Sequence, residues 1–130
     1  MFTELLEKPT TMTDRDLLTK AYEVFNARDI DTALSLMHPD VDWPNGMEGG
    51  RVYGHSGVRD YWTRQWGMID PHVEPRGFTT DESGRTVVDV HAVVRDLEGN
   101  VLVDHRVQHV YVIEDGLIRS MEIREPQSSV

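Results

Sequence analysis

The amino-acid sequence predicts an α+β fold in which three helices lie over a curved antiparallel sheet and enclose a small-molecule pocket. Two observations carry this expectation. Helical periodicity is confined to the first half of the chain, and the second half alternates apolar and polar residues over long stretches. Those stretches are broken by Glu82-Ser83-Gly84, Leu97-Glu98-Gly99 and Glu114-Asp115-Gly116. Helices followed by a meander of strands place the helices on one face of an antiparallel sheet. With 130 residues the chain is long enough for one domain with its own core. That domain is expected over 13–126, with 1–12 as a flexible extension and 127–130 as a tail.

Thr13 is a good N-cap, and Asp14 and Asp16 suit the positive end of a helix dipole. Leu17, Leu18, Ala21, Val24 and Phe25 recur at helical spacing, so a helix is expected over 14–28. Asp29 can cap a second helix over 30–37, stopped by Pro39. Val41 and Trp43 mark a short strand, and the four glycines between Pro44 and Gly54 an irregular loop. A third helix, 56–69, places Val58, Tyr61, Trp62, Gln65 and Trp66 near one face, and Pro71 ends it. Strands are expected near 73–81, 85–96, 101–113 and 117–125.

Composition narrows the function classes. The chain has no cysteine, which removes disulfides, thiolate metal sites and cysteine nucleophiles. A net charge of −10 with no basic face argues against nucleic acid as a partner. No apolar stretch approaches the roughly 20 residues of a membrane span. Residues 1–11 carry Glu4 and Glu7 and lack the apolar core of a signal peptide, so a cytoplasmic protein is expected.

The last two turns predict which residues share a face. Each places Gly third in a three-residue connection, the pattern of a type I turn with a left-handed Gly in a bulge. Asp96 and Asn100 flank the first, Ile113 and Leu117 the second, so odd residues oppose odd residues throughout. One face then carries Val87, Asp89, His91, Val93, Val103, His105, Val107, His109, Tyr111, Met121 and Ile123, and the helices are expected over it. The other carries Val88, Val90, Ala92 and Val94 beside Asp104, Arg106 and Gln108, a mixture suited to a homodimer contact. A two-residue turn at Glu98-Gly99 would reverse these assignments.

Several runs are recognisable. Tyr22-Glu23-Val24-Phe25-Asn26-Ala27-Arg28-Asp29-Ile30-Asp31-Thr32-Ala33-Leu34, leading into His38-Pro39-Asp40-Val41-Asp42-Trp43, resembles the opening of the SnoaL-like branch of the nuclear transport factor 2-like superfamily. Tyr53-Gly54-His55-Ser56-Gly57-Val58-Arg59-Asp60-Tyr61-Trp62 resembles the approach to its third helix, and Glu114-Asp115-Gly116-Leu117-Ile118 its closing hairpin. The resemblance implies a cone-shaped α+β barrel, a deep pocket and a dimer. It does not imply one reaction, because the superfamily holds ketosteroid isomerases, polyketide cyclases, dehydratases, epoxide hydrolases and binding modules.

Carried over residue by residue, the resemblance is informative through its departures. The position of the ketosteroid isomerase base holds Trp43, and that of its helix-one tyrosine holds Ala21, with Tyr22 one residue late. The epoxide hydrolase pattern is matched in part by Trp43 and Asn45, but its acid–base positions hold Asp89, His91 and Ile123. The catalytic aspartate of the polyketide cyclases corresponds to His109.

From the face assignment, His109 and Asp89 form the leading pair, with α-carbons about 5–8 Å apart on adjacent strands. A carboxylate would fix the imidazole tautomer and raise its basicity, making His109 a general base oriented by Asp89. The bland alternative is a buried pair that only satisfies itself. His91 or Asn45 would steady developing charge, and Trp43, Asn45, Trp62, His105, Tyr111 and Tyr22 would contact the substrate. His105 and His109 lie roughly 13 Å apart along a strand, too far to share an ion, so no metal is expected. The expected activity is proton transfer (isomerisation, cyclisation or dehydration) on a small, apolar or cyclic organic molecule without a cofactor. The competing readings are a non-catalytic ligand-binding module and a structural dimer whose pocket is filled.

Overall fold

The computed structural model describes residues 13–126. The expected extension 1–12 and tail 127–130 lie outside the described residues. Three helices, α1 (Asp14–Asn26), α2 (Ile30–Ser35) and α3 (Gly54–Trp66), accompany six strands: β1 (Met37–Pro44), β2 (Arg51–Tyr53), β3 (Ile69–Thr80), β4 (Thr86–Asp96), β5 (Val101–Glu114) and β6 (Leu117–Arg124). The strands form one open sheet in the order β2-β1-β6-β5-β4-β3. Every pairing is antiparallel except β1 with β6, which is parallel. The sheet is therefore mixed, with the three helices packed on it.

The caps behave as the sequence predicts. The Thr13 hydroxyl accepts from the Asp16 N–H at 3.0 Å, and the Asp29 carboxylate from the Thr32 N–H at 3.3 Å. Helix α1 stops two residues short of the expected 28, because Arg28 adopts a left-handed φ of 63°. From there its guanidinium reaches the carbonyls of Phe25 and Pro71 and the Asp70 carboxylate. The second helix ends at Ser35 rather than Met37, since the Leu36 carbonyl accepts from the Ile118 N–H at 2.9 Å and starts the parallel pairing. Strand β3 begins at Ile69, through Pro71 and Pro75. Both prolines are tolerated because β3 is the sheet's edge, where one side of the ladder needs no partner. Strand β2 falls in the stretch expected to be irregular loop.

Register corrects the face assignment. The first turn is the expected three-residue one: the Asp96 N–H donates to Asn100 O at 2.8 Å, and Gly99 has φ 95°. Arg95 accordingly opposes Val101, but Val94 opposes Val103, leaving Leu102 as an extra residue. That bulge shifts the register by one, and from there Val90 opposes Val107 and Val88 opposes His109. Strand β4 therefore presents Val88, Val90, Ala92 and Val94 to the helices. Asp89 and His91 face the other way. The second turn is a two-residue Asp115-Gly116 connection, with φ of 55° and 76°, between Glu114 and Leu117. Positive φ at both positions is the type I′ signature. A second bulge, at Arg119, then restores the parity, so Tyr111 opposes Met121 and His109 opposes Ile123. Strands β5 and β6 keep their expected faces for a different reason than the turn pattern gave.

The core lies between the helices and the inner sheet face, with Leu17, Leu18, Leu34, Val41, Val58, Trp62, Val88, Val90, Val107 and Ile118 among its buried members. The outer sheet face carries polar pairs: Gln108 Nε2 donates to Asp89 at 2.9 Å, and Arg124 Nε to Gln108 at 2.9 Å. No helix among the described residues is long and apolar enough to cross a membrane.

Candidate functional site

The inner face does not close on itself. A cavity of about 580 Å³ remains between α1, α3, the loop after β1, and strands β3 to β6. Its walls are aromatic and aliphatic, with Trp43, Trp62, Phe25, Met37, Met121 and Val107 among them. Trp62 anchors the aromatic part, edge-on to Trp43 at 5.6 Å and to Phe25 at 5.0 Å between ring centroids. The polar lining groups are Tyr22, Tyr61, Gln65, His105, His109 and Tyr111, with the Trp43 and Trp62 indoles; among the described residues no Asp, Glu, Lys or Arg lines the cavity. This composition suits a flat or cyclic organic ligand.

The polar end of the cavity is built from α1 and β5. Alternation along β5 turns Val107, His109 and Tyr111 inward together. Tyr22 lies one helical turn after Leu18, and both are buried. The helix is held against the sheet edge by Asn26, whose amide donates to Val73 O at 2.8 Å and whose carbonyl accepts from Val73 N–H at 3.0 Å. Asn26 thus satisfies both backbone groups of Val73 and fixes the depth of Tyr22.

The Tyr22 hydroxyl sits 2.8 Å from His109 Nδ1, and the Tyr111 hydroxyl donates to Tyr22 at 2.8 Å. The Tyr22 and His109 rings lie nearly parallel, 14° apart, while Tyr111 stands edge-on to Tyr22. His109 is 7% exposed and lies between Val88 and Ile123 on the neighbouring strands. Burial without a countercharge pushes its pKa down to about 4, so the imidazole is neutral at pH 7. Burial also raises both tyrosines well above their ordinary value. The assignment that gives every hydroxyl hydrogen a partner in the wall has Tyr111 donating to Tyr22, Tyr22 donating to Nδ1, and the His109 proton on Nε2. Nε2 has no protein partner among the described residues, and His109 lines the cavity.

At the loop end, the Tyr61 hydroxyl accepts from the Gly46 N–H at 3.0 Å and from Gln65 Nε2 at 3.3 Å, leaving its own hydrogen free to donate. Asn45 holds this loop. Its side chain accepts from the Glu48 N–H at 2.8 Å and donates to the Glu48 carboxylate at 2.9 Å, and Arg64 pairs with the same carboxylate.

The structure brings together six of the nine expected site residues: His109, Tyr22, Tyr111, Trp43, Trp62 and His105 all line the cavity. Asp89, His91 and Asn45 do not. Asp89 accepts from Gln108 on the outer face, so the partner of His109 is Tyr22 and the expected Asp89–His109 pair does not form. His91 is bonded to Asp104 at 2.7 Å, also on the outer side. Asn45 is buried but spends its side chain on the loop. Sequence reading missed the Tyr61 hydroxyl as a polar group, Met47 in the glycine-rich loop, and the Asn26 clamp. Only Tyr61 carried a signal, its place on the apolar face of α3.

A family model for the SnoaL-like domain matches residues 18–121. Among solved structures, TerC co-crystallised with polyporic acid is 29% identical, with 86% of this chain and 90% of that chain covered at a TM-score of 0.74. An NTF2-like protein of unknown function from Burkholderia pseudomallei is 26% identical over 88% of this chain and 92% of that one, TM-score 0.75. A candidate polyketide cyclase from Sinorhizobium meliloti, 20% identical over 84% of this chain and 94% of its own, shares the fold at a TM-score of 0.71. No curated protein sequence matches the chain significantly.

Proposed function

Because this chain belongs to the SnoaL-like domain family, we propose that its cavity binds a small, largely apolar cyclic organic molecule and exchanges a proton with it through His109. One observation carries the reading: the His109 imidazole, hydrogen-bonded to Tyr22 and through it to Tyr111, forms a buried polar end of a largely apolar cavity of about 580 Å³. A neutral imidazole in a low-dielectric wall can give the proton on Nε2 or, in its other tautomer, take one there, and aromatic walls hold the ring in place. That TerC was co-crystallised with polyporic acid supports an organic ligand for this fold. The reaction class is isomerisation, cyclisation or dehydration.

The second reading is a non-catalytic binding module of the same fold. It is favoured by the low basicity of His109 and by a lining that, among the described residues, contains no carboxylate. A scaffold with a filled pocket fits poorly with a cavity of this size.

Calorimetric titration with polyporic acid and a panel of cyclic ketones, lactones and epoxides separates these readings, with mass spectrometry of the recovered ligand. The enzyme reading expects binding with conversion, and conversion lost in His109→Gln while binding remains. A ligand recovered unchanged supports the binding module. Failure of every flat cyclic compound to bind rules out both.

A further inference from the structure

We propose that Tyr111, Tyr22 and His109 form a reversible hydrogen-bond relay that exchanges one proton for another with an enolisable cyclic carbonyl compound, its two working ends being His109 Nε2 and the Tyr111 hydroxyl. The inference rests on the ligand-site reading above and adds to it a substrate class and a second reacting residue.

The three groups are joined by two bonds of 2.8 Å, and both end residues line the cavity. Such a chain has two internally consistent states. In one, Tyr111 donates to Tyr22, Tyr22 donates to Nδ1, and the cavity meets an Nε2–H donor and a Tyr111 oxygen lone pair. In the other, every hydrogen has moved along: Nδ1–H donates to Tyr22, Tyr22 donates to Tyr111, and the cavity meets an Nε2 lone pair and a Tyr111 O–H. The first is the resting state of the empty cavity, because it leaves no hydroxyl hydrogen without a partner inside the wall.

An enol interconverts the two states as it ketonises. Its O–H bond breaks as the proton passes to the Tyr111 oxygen. Tyr111 gives its own hydrogen to Tyr22, Tyr22 gives its hydrogen to Nδ1, and the Nε2 hydrogen forms the new C–H bond. The enol O–H and C=C become C=O and C–H, and the protein ends neutral in its second state. Enolisation is the reverse. Neither an imidazolium nor a phenolate forms at any point.

Charged alternatives are opposed by the surroundings. Among the described residues the titratable groups on the cavity wall are Tyr22 of α1, Tyr61 of α3, and His105, His109 and Tyr111 of β5, and no carboxylate or cationic chain lines it from α2, β1, β3, β4 or β6. Burial disfavours the protonated form of His109 and the ionised forms of both tyrosines. A site that is costly to charge but already wired suits a reaction that moves protons at constant charge. The required substrate presents an oxygen and an enolisable carbon of one ring system to the two ends, as cyclic ketones do.

The test is washout of an α-tritium label from 2-tetralone by the full chain, measured between pH 6 and 9 and in both H₂O and D₂O. The relay expects a rate independent of pH in this range, with a solvent isotope effect from the moving hydroxyl protons. His109→Gln, Tyr22→Phe and Tyr111→Phe should each lower the rate about a hundredfold, a typical loss for an acid–base group. The residual rate in Tyr111→Phe should lose the solvent isotope effect, with ketone affinity within twofold of wild type. Tyr22→Phe cuts the same relay at its middle and carries the test if Tyr111→Phe is unstable. Washout that falls only in His109→Gln, with both tyrosine variants unaffected, overturns the relay and leaves the proton-transfer reading standing. Tetralone bound without washout overturns both.

Discussion

Acid should destabilise this protein through one residue well before its carboxylates are protonated. His109 has a pKa of about 4 in the folded chain, against 6.5 for the ordinary side chain. Between those values the unfolded chain binds a proton that the folded chain refuses, so stability falls as pH falls. Working the linkage from these two values gives a loss of about 2 kcal/mol between pH 7 and pH 5, approaching about 3 kcal/mol at pH 4. Glu48, Asp81 and Asp96 are also held below their ordinary values by hydrogen bonds and ion pairs. Their contributions are lost only below the ordinary carboxylate range, so the window from pH 6.5 to 4.5 isolates the histidine. The assay is urea denaturation of wild type and His109→Gln at half-unit steps across that window. Wild type should lose stability relative to the variant by about 2 kcal/mol from pH 6.5 to 4.5. Parallel curves for the two proteins would refute the claim that His109 is buried without a countercharge.

Asp89→Asn should leave ligand affinity within twofold of wild type, because Asp89 sits on the outer face with Gln108; a loss of binding by calorimetry would contradict the register described here. Asn26→Ala removes both hydrogen bonds to Val73 and should cost about 1–3 kcal/mol in urea denaturation, with faster amide exchange at the β3 edge. Trp62→Ala should cost about 3–5 kcal/mol, since the buried indole anchors the aromatic wall; thermal melts check it. The expected homodimer remains a proposal for the outer sheet face. Sedimentation equilibrium should show a dimer that Val112→Glu, at an exposed position on β5, converts to monomer.

The fold was legible because its signals are local. Thr13 and Asp29 cap the helices they precede, and the spacing of Leu17, Leu18, Val24 and Phe25 admits no strand. The family resemblance carried by residues 22–62 and 114–118 agrees with the SnoaL-like family model and the NTF2-like structural neighbours. The site was legible only in part, because register is a global property set by single inserted residues. Nothing in Val101-Leu102-Val103 announces that Leu102 will be an extra residue, yet that bulge moves Asp89 and His91 away from the cavity. The Asp115-Gly116 pair is itself a strong two-residue turn signal, and it prevails over the three-residue pattern of Glu114-Asp115-Gly116. The resulting shift is cancelled by the bulge at Arg119. The Tyr22–His109 bond spans 87 positions and joins a helix to a strand, so no spacing rule could have found it.

The most direct test of the account is a long-range proton–nitrogen NMR correlation of the histidine side chains at pH 6, with and without a flat cyclic ketone or polyporic acid. The account predicts that His109 is neutral, protonated on Nε2 alone, and that its Nε2 resonance moves and saturates as ligand is added. A His109 imidazolium at that pH, or a resonance unmoved by a ligand that binds, would contradict it.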